Sequence, residues 1–504
     1  MCYLVALSRC DVFSAQPYPE FPYDPGAAYP EFASGGAGLP NPVYDAVRRS
    51  LYLLGRDRQN YDTPNWNPLG EFICPGQQVL IKPNWVFHDN PAGGLASLVT
   101  HSSVLRSVID YVLLALKNQG RIIIGDAPIQ SANFDLLMKH NNVSRLLEHI
   151  DKGAVDIDIR DFRENTCELD HQGRVMGHHR LCGDPDGYRT VNLGEQSFLC
   201  PVSSQSRRFR VTNYDPDVMR AHHTCDRHEY LIAQAVLDSD VVINVPKLKT
   251  HRKAALTCCL KNVVGINGSK DYLPHHRVGA VTEGGDEYHW PSAWKAMGSK
   301  VLDLLEGSSS RTVRDLAQLA LRVCRRMAHH TARDPYSEGS WYGNDTIWRT
   351  VLDLNRVLEF ARADGTLAQM PQRKIFNIVD AVIAGGGEGP LRPDPVAAGM
   401  ILAGRIPAIV DNFAARLVGL NPEKIPLLKN ALKWQRAQAK GPFDSRLVSD
   451  DLEGREFPLE EVCPLAVLAP PAGWAGHVEL EGCPARDGSQ VSDGFDGSLK
   501  IAEE

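Results

Sequence analysis

"VVINVPKLKTHRKAALTCCLKNVVGINGSK", residues 241–270, begins as a strand and turns abruptly cationic. Five apolar or strand-compatible residues lead into Pro246, and Lys247, Lys249, His251, Arg252, Lys253, Lys261 and Lys270 follow within 24 residues. A short Val/Ile run without polar alternation fits a strand buried on both faces, as in a parallel sheet. The same grammar recurs in "QQVLIKPNW", "GRIIIGDAP", "KIFNIVDAVIAGGGEGP" and "RIPAIVDNFAARLVG", where strand-like runs end in turn residues and helical patterns follow. Between two of them, "SSVLRSVIDYVLLALKNQG" reads as a helix from a Ser cap at 102 or 103 to Gly120. The expected fold class is therefore α/β, a mostly parallel sheet flanked by helices.

Composition bounds the rest. The 504 residues carry 54 Lys plus Arg against 61 Asp plus Glu, a formal charge of −7, and 43% hydrophobic residues, which suits a large buried core. An acidic total argues against general binding to nucleic acid, whose phosphates reward a basic face. Twelve scattered cysteines include no Cys-x-x-Cys pair, which speaks against an iron–sulfur cluster in this chain. Free thiols, no basic leader and no run of about 18 apolar residues predict a cytoplasmic protein without a membrane span. The alternation predicts a single elaborated domain over 1–470, broken by an irregular polar insertion at 151–225 and a helical insertion or lid at 291–365. The acidic, Gly-rich segment 471–504 reads as a mobile tail.

Ligands of open α/β sheets bind beyond the carboxyl ends of the strands. Lys247, Lys249 and His251 fall at such an end, and Thr250 as N-cap with Gly265 as stop predicts a helix over about 251–264. That helix would align Lys253, Thr257 and Lys261 in one polar stripe and leave Asn262 at its end. A helix N-terminus among cations is a site for a phosphate or carboxylate. Lys82, Asn84 and Asp126 end two other strands and would share the rim, although Asp126 equally suits a helix cap. Lys270, His275, His276 and Arg277 extend the basic region in a Gly-rich loop, where His251 or His275 is suited to moving a proton, with Asp126 as a further catalytic candidate. Gly387, Glu388 and Gly389, in "GGGEGP", read as a turn exposing N–H groups to a ligand. Asp380 and Glu388 flank that turn, so a divalent cation is an open alternative there, and any further cofactor is left open. Asn344 or Asp345 in "GNDTIWRT" suits a helix cap.

Taken in order, "VLIKPNWV", "IIIGDAP", "VINVPKLKTH", "LTCCLKNVVGINGSKDYLPHH", "GGGEGP" and "AIVDNFAARLVGLNPEKIP" resemble the domain of unknown function 362 family across most of residues 74–430. The family pattern falls on Lys82, Asn84, Asp126, Lys247, Lys249, His251, Lys261, Asn262, Lys270, Gly387, Glu388, Gly389 and Asp411. The resemblance implies little about activity. Relatives with a fused ferredoxin-like module suggest redox chemistry, which in this chain would need a separate redox partner protein. Others accompany polysaccharide or small-molecule biosynthesis. Three expectations follow: an enzyme binding an anionic small molecule at the sheet rim, with Lys247, Lys249 and Lys261 as the clamp; a redox component; or a noncatalytic binding or assembly protein docking through its helical insertion.

Overall fold

Alternation with a period of two runs through the central strands and sorts their side chains into two cores. Val79, Ile81, Ile122, Ile124, Val241, Ile243 and Val245 pack on one face, while Leu80, Ile123 and Val242 pack on the other. The computed structural model describes residues 2–10, 17–32, 39–169, 175–212, 214–308, 310–439, 441, 443–450 and 454–482.

One sheet organises these residues. It is built from β1 (Cys2–Arg9), β2 (Gln78–Pro83), β3 (Arg121–Asp126), β4 (Asp156–Asp161), β5 (Val241–Val245), β6 (Lys247–His251), β7 (Ala255–Thr257), β8 (Lys374–Glu388), β9 (Arg392–Gly404), β10 (Asp444–Ser449) and β11 (Glu456–Pro458). The order is β11-β10-β1-β9-β8-β5-β2-β3-β4, with β6 paired to β8 and β7 paired to β6. The β8-β5-β2-β3-β4 block is parallel throughout, as are β1 with β10 and β6 with β8. The long β8–β9 hairpin and the β9–β1 pair are antiparallel. Helices Pro42–Leu53 and Ser102–Leu116 cover one face, and Ile347–Phe360, Pro407–Leu417 and Pro426–Gln438 the other, so the fold is α/β in three layers.

Several elements depart from expectation. The chain does not turn helical after Pro246: β5 and β6 run successively along β8, with Asn244 opposite Asn377 and Lys247 opposite Asp380. Asp380 N–H donates to Pro246 O, bridging the interruption. The segment 251–264 is instead a tight β6–β7 hairpin, a short helical turn Cys259–Asn262 and a 3-10 turn Val263–Ile266. "RIPAIV" opens the helix Pro407–Leu417 rather than forming a strand. The insertion at 151–225 supplies β4, the sheet edge, before two small antiparallel pairs, 165–169 with 175–180 and 188–192 with 229–233, the last strand lying just beyond the insertion. Within 291–365, helices Ala293–Gly307 and Arg311–Thr331 pack as a hairpin, while Ile347–Phe360 belongs to the core. Asn344 Oδ1 accepts from the N–H groups of Thr346 and Ile347, opening that last helix as anticipated.

Of the segment read as a tail, 483–504 lies outside the described residues. Residues 471–482 pack on the body: Trp474 is buried, its indole N–H donates to Arg252 O, and His477 stacks on Tyr342 at 3.5 Å.

Candidate functional site: a lysine-rich rim

The carboxyl ends of strands β2 and β3 bring together Lys82 and Asp126, which meet at 2.7 Å. Asp126 is fully engaged: Oδ1 also accepts from Ala127 N–H at 2.8 Å, and Oδ2 from Trp85 N–H at 2.6 Å. Gly265 lies directly on this pair, because a Cβ there would come within 1.8 Å of Asp126 Oδ1 and 2.7 Å of Lys82 Nζ. A glycine read as a helix stop is thus a requirement of close approach.

Beside the pair, a chain of buried carboxamides runs from the carboxyl ends of β2 and β5 to the early part of β8. Asn84 Nδ2 donates to Asn262 Oδ1, Asn262 Nδ2 to Asn244 Oδ1, and Asn244 Nδ2 to Asn377 Oδ1, at 2.8–3.0 Å. Asn262 Nδ2 also reaches Lys82 O. Asn84 and Asn262 were legible as rim residues. Asn244 and Asn377, inside apolar strand runs, were missed, though a polar residue within such a run is itself a signal.

The lysines of the opening stretch divide into two groups. Lys247 is fully buried and committed: its Nζ lies 2.8 Å from Asp380 Oδ2 and 2.7 Å from the Tyr18 hydroxyl, which in turn donates to Asp380 Oδ1. Lys249 is equally buried and donates to Leu98 O. Burial holds its pKa well below the ordinary lysine value, and the Lys247 charge pushes the same way. Lys261 and Lys270 differ, for their ammonium groups have no hydrogen-bond or ion-pair partner among the described residues. Burial lowers Lys261 to about 7, with Lys270 and Lys253 adding repulsion. Burial likewise lowers Lys270 to about 8. Lys82, Lys249, Lys261 and Lys270 all feel Asp126, which among these lysines is bonded only to Lys82; Lys270 also feels Asp161, itself paired with Arg163. Buried Asn84 Oδ1 and Thr257 Oγ1, the latter opposite Lys249 in the hairpin, also lack hydrogen-bond partners among the described residues.

Two histidines border the cluster in complementary forms. His251 Nδ1 accepts from the N–H groups of Lys253 and Ala254, which leaves the proton of the neutral ring on Nε2. His275 Nδ1 lies 2.7 Å from Leu273 O, so it carries the proton and Nε2 is the free acceptor. Burial and the Lys261 charge hold both rings well below the ordinary histidine pKa. Lys253, absent from the expected clamp although it stands in the quoted stretch, reaches Thr212 Oγ1 at 3.2 Å and His276 Nδ1 at 3.4 Å. Arg277 turns away to Thr346 and Gly284 O.

The glycine run stands elsewhere. Gly385–Gly387 continue β8 as strand; a Cβ at Gly385 would fall 2.8 Å from Lys249 Cβ and one at Gly389 2.0 Å from Thr250 O, so these two glycines admit β6 against β8. Gly387 N–H donates to Ala469 O and is not presented to a ligand. Glu388 is exposed, accepts from Ala472 N–H and lies 3.2 Å from Arg252, whereas Asp380 is buried on Lys247. The two carboxylates expected to flank a cation are therefore separately committed. Among the described residues, Cys258, Cys259 and Asp411 bring donor atoms within 4.8 Å of one another. Asp411 already accepts from Cys259 and Leu260 N–H, capping the turn Cys259–Asn262, and burial raises the Cys258 thiol to about 12, a hydrogen-bonded arrangement complete as it stands.

No helix among the described residues is long and apolar enough to cross a membrane. A curated relative, the thylakoid-associated protein sll1697 of Synechocystis sp., is 24% identical over 197 residues, 39% of this chain and 41% of that protein. The chain thus spans less than half the length of this relative. The model of a family described as a domain of unknown function, DUF362, matches residues 79–184 and 203–416, which hold Lys82, Asp126, the lysine cluster and both histidines. The chain belongs to the DUF362 family.

Proposed function

We propose that the rim binds a phosphate- or carboxylate-bearing small molecule, with Lys261 and Lys270 as the primary anion contacts and Lys253 at the margin. The observation that carries this reading is the charge imbalance: Lys82, Lys249, Lys261 and Lys270 all draw on Asp126, and the one further carboxylate acting on them, Asp161 beside Lys270, is already paired with Arg163. Buried ammonium groups without partners are costly, and an anion offsets that cost while replacing their lost hydration. Lys82 and Asp126 then position the rim rather than react, because each is already bonded to the other. Lys247 and Lys249 support it from within and do not clamp the ligand. Asn84 Oδ1 and Thr257 Oγ1 supply further polar contacts.

An enzymatic role follows from the histidine pair. His251, with its proton on Nε2, donates a hydrogen bond to a bound oxyanion, and His275, with Nε2 free, accepts a proton from the substrate. A place in small-molecule or polysaccharide biosynthesis is compatible with such a ligand and is carried only by the family resemblance.

A thermal-shift series of sugar phosphates, nucleotides, inorganic phosphate and dicarboxylates tests the reading. A ligand at about a hundred times its Kd adds about 2.7 kcal/mol. We expect one anion class to raise the Tm of the native protein and not of Lys261→Met. Lack of any response across the series sinks the anion-site reading, and a flavin or iron absorbance band in the purified protein would favour the redox component instead.

A further inference from the structure

We propose that the helical hairpin 293–331 is a peripheral docking surface for an anionic lipid membrane, a role separate from the anion rim. Twelve large hydrophobic side chains are exposed among the described residues, and seven fall within residues 290–323. Six of these, Trp294, Met297, Leu304, Leu316, Leu319 and Val323, lie on the two hairpin helices; Leu316 is 64% and Leu319 59% exposed.

Their placement is not random. At about 100° per residue, Leu316, Leu319 and Val323 form one stripe on Arg311–Thr331, beside the stripe Ala317, Leu321, Cys324 and Ala328 that is buried. The apolar arc is thus wider than the partner helix covers. On Ala293–Gly307, Met297 and Leu304 are seven residues apart and share a face turned away from Gly298, which packs toward Cys324 and Leu321. The helices are joined by three residues and pack antiparallel, and for two right-handed helices so arranged the two bare stripes fall on the same side. The opposite side faces the body, where Ser299, Leu302, Leu321 and Arg325 line a cavity of about 480 Å³.

Charge selects the occupant. Exposed Lys300 borders the bare strip on one edge and exposed Arg322 and Arg326 on the other. None of the three has an ion-pair partner among the described residues. The helix Arg311–Thr331 carries five arginines, at 311, 314, 322, 325 and 326, against Asp315 alone, in a chain of net charge −7. An exposed apolar stripe edged with cations suits an interface of acyl chains and anionic headgroups. Two copies docked strip to strip would bring their cationic edges together, which disfavours self-association.

Co-sedimentation of the full chain with vesicles tests this. We expect binding to phosphatidylcholine–phosphatidylglycerol vesicles that weakens with salt, and little binding to phosphatidylcholine alone. Leu316→Glu/Leu319→Glu and Arg322→Glu/Arg326→Glu should each lower the bound fraction about tenfold or more. All four side chains are exposed or partnerless at the surface, so unchanged thermal melting serves as the folding control and the arginine pair keeps the test decisive if the leucine pair misfolds. Absence of binding to mixed vesicles, equal binding to neutral ones, or full binding by the folded variants would overturn the proposal. So would a dimer in solution that the leucine pair converts to monomer, for the strip would then be an interface between copies.

Discussion

A lysine ammonium taken out of water and set among other ammoniums loses hydration that the chain must return or leave unpaid. At Lys261 nothing in the described chain returns it, so Lys261→Met is expected to stabilise the ligand-free protein at neutral pH by about 1 kcal/mol or more, read as a higher Tm. The same substitution should weaken anion binding at least about tenfold, since a charge-assisted contact is lost. The pH dependence has a fixed sign. Lys261 titrates near 7 and Lys253 and Lys270 near 8 when folded, all below the ordinary lysine value of 10.5. Between those limits the unfolded chain holds protons that the folded chain lacks, so stability rises with pH from about 7 towards 10 and is lost as pH falls back through the window. Anion binding restores the protons; affinity should therefore fall as pH rises above about 8, by up to about tenfold per unit for each group that must charge. Stability and binding moving in opposite directions across one pH range is checked by melting curves and titrations on the same sample. Gly265→Ala should destabilise by about 3 kcal/mol or more, measured by denaturant unfolding, because its Cβ would overlap Asp126 Oδ1.

At the scale of elements, the Lys247–Asp380 pair fastens β6 to β8 with neither side chain exposed. Lys247→Met alone strands a buried carboxylate and should cost about 3–5 kcal/mol, whereas Lys247→Met with Asp380→Leu should recover much of that, as a double-mutant cycle would show. This pair also explains what the sequence concealed. β2, β3, β5 and the start of β8 were legible because both faces are buried and their runs are uninterrupted. β6 was not, because "KLKTH" carries the composition of a solvated loop while every one of its side chains is buried. Only the long-range partner, a glycine run in β8 flat enough to accept a second strand, fixes it, and no local window contains that fact. The helix Ser102–Leu116 was legible from its spacing, although His101 rather than a serine caps it through Nδ1. At the rim, Lys82, Asn84, Asp126, Lys261, Asn262, Lys270, His251 and His275 come together as the motifs suggested. Gly387, Glu388 and Gly389 were misplaced, since a glycine that admits a neighbouring strand looks in sequence like one that cradles an anion.

Across the whole molecule, the parallel block β8-β5-β2-β3-β4 separates two apolar cores, and β5, β2, β3 and β4 deliver their carboxyl ends to one edge while β8 runs on past it beside β6. Packing on both faces makes it affordable to hold a cluster of like charges so close, because the cores rather than the rim supply the stability. Residues 471–482 add to this scaffold: Trp474→Ala, which empties a buried indole site and frees Arg252 O, should cost about 3–5 kcal/mol in chemical unfolding. The anion site is tested most directly by calorimetric titration of the protein with its most stabilising anion at pH 8, in two buffers of different ionisation enthalpy. We expect net proton uptake on binding, lost or reduced in Lys261→Met together with affinity. Binding of equal strength in both proteins, with no protons taken up, would contradict such a site.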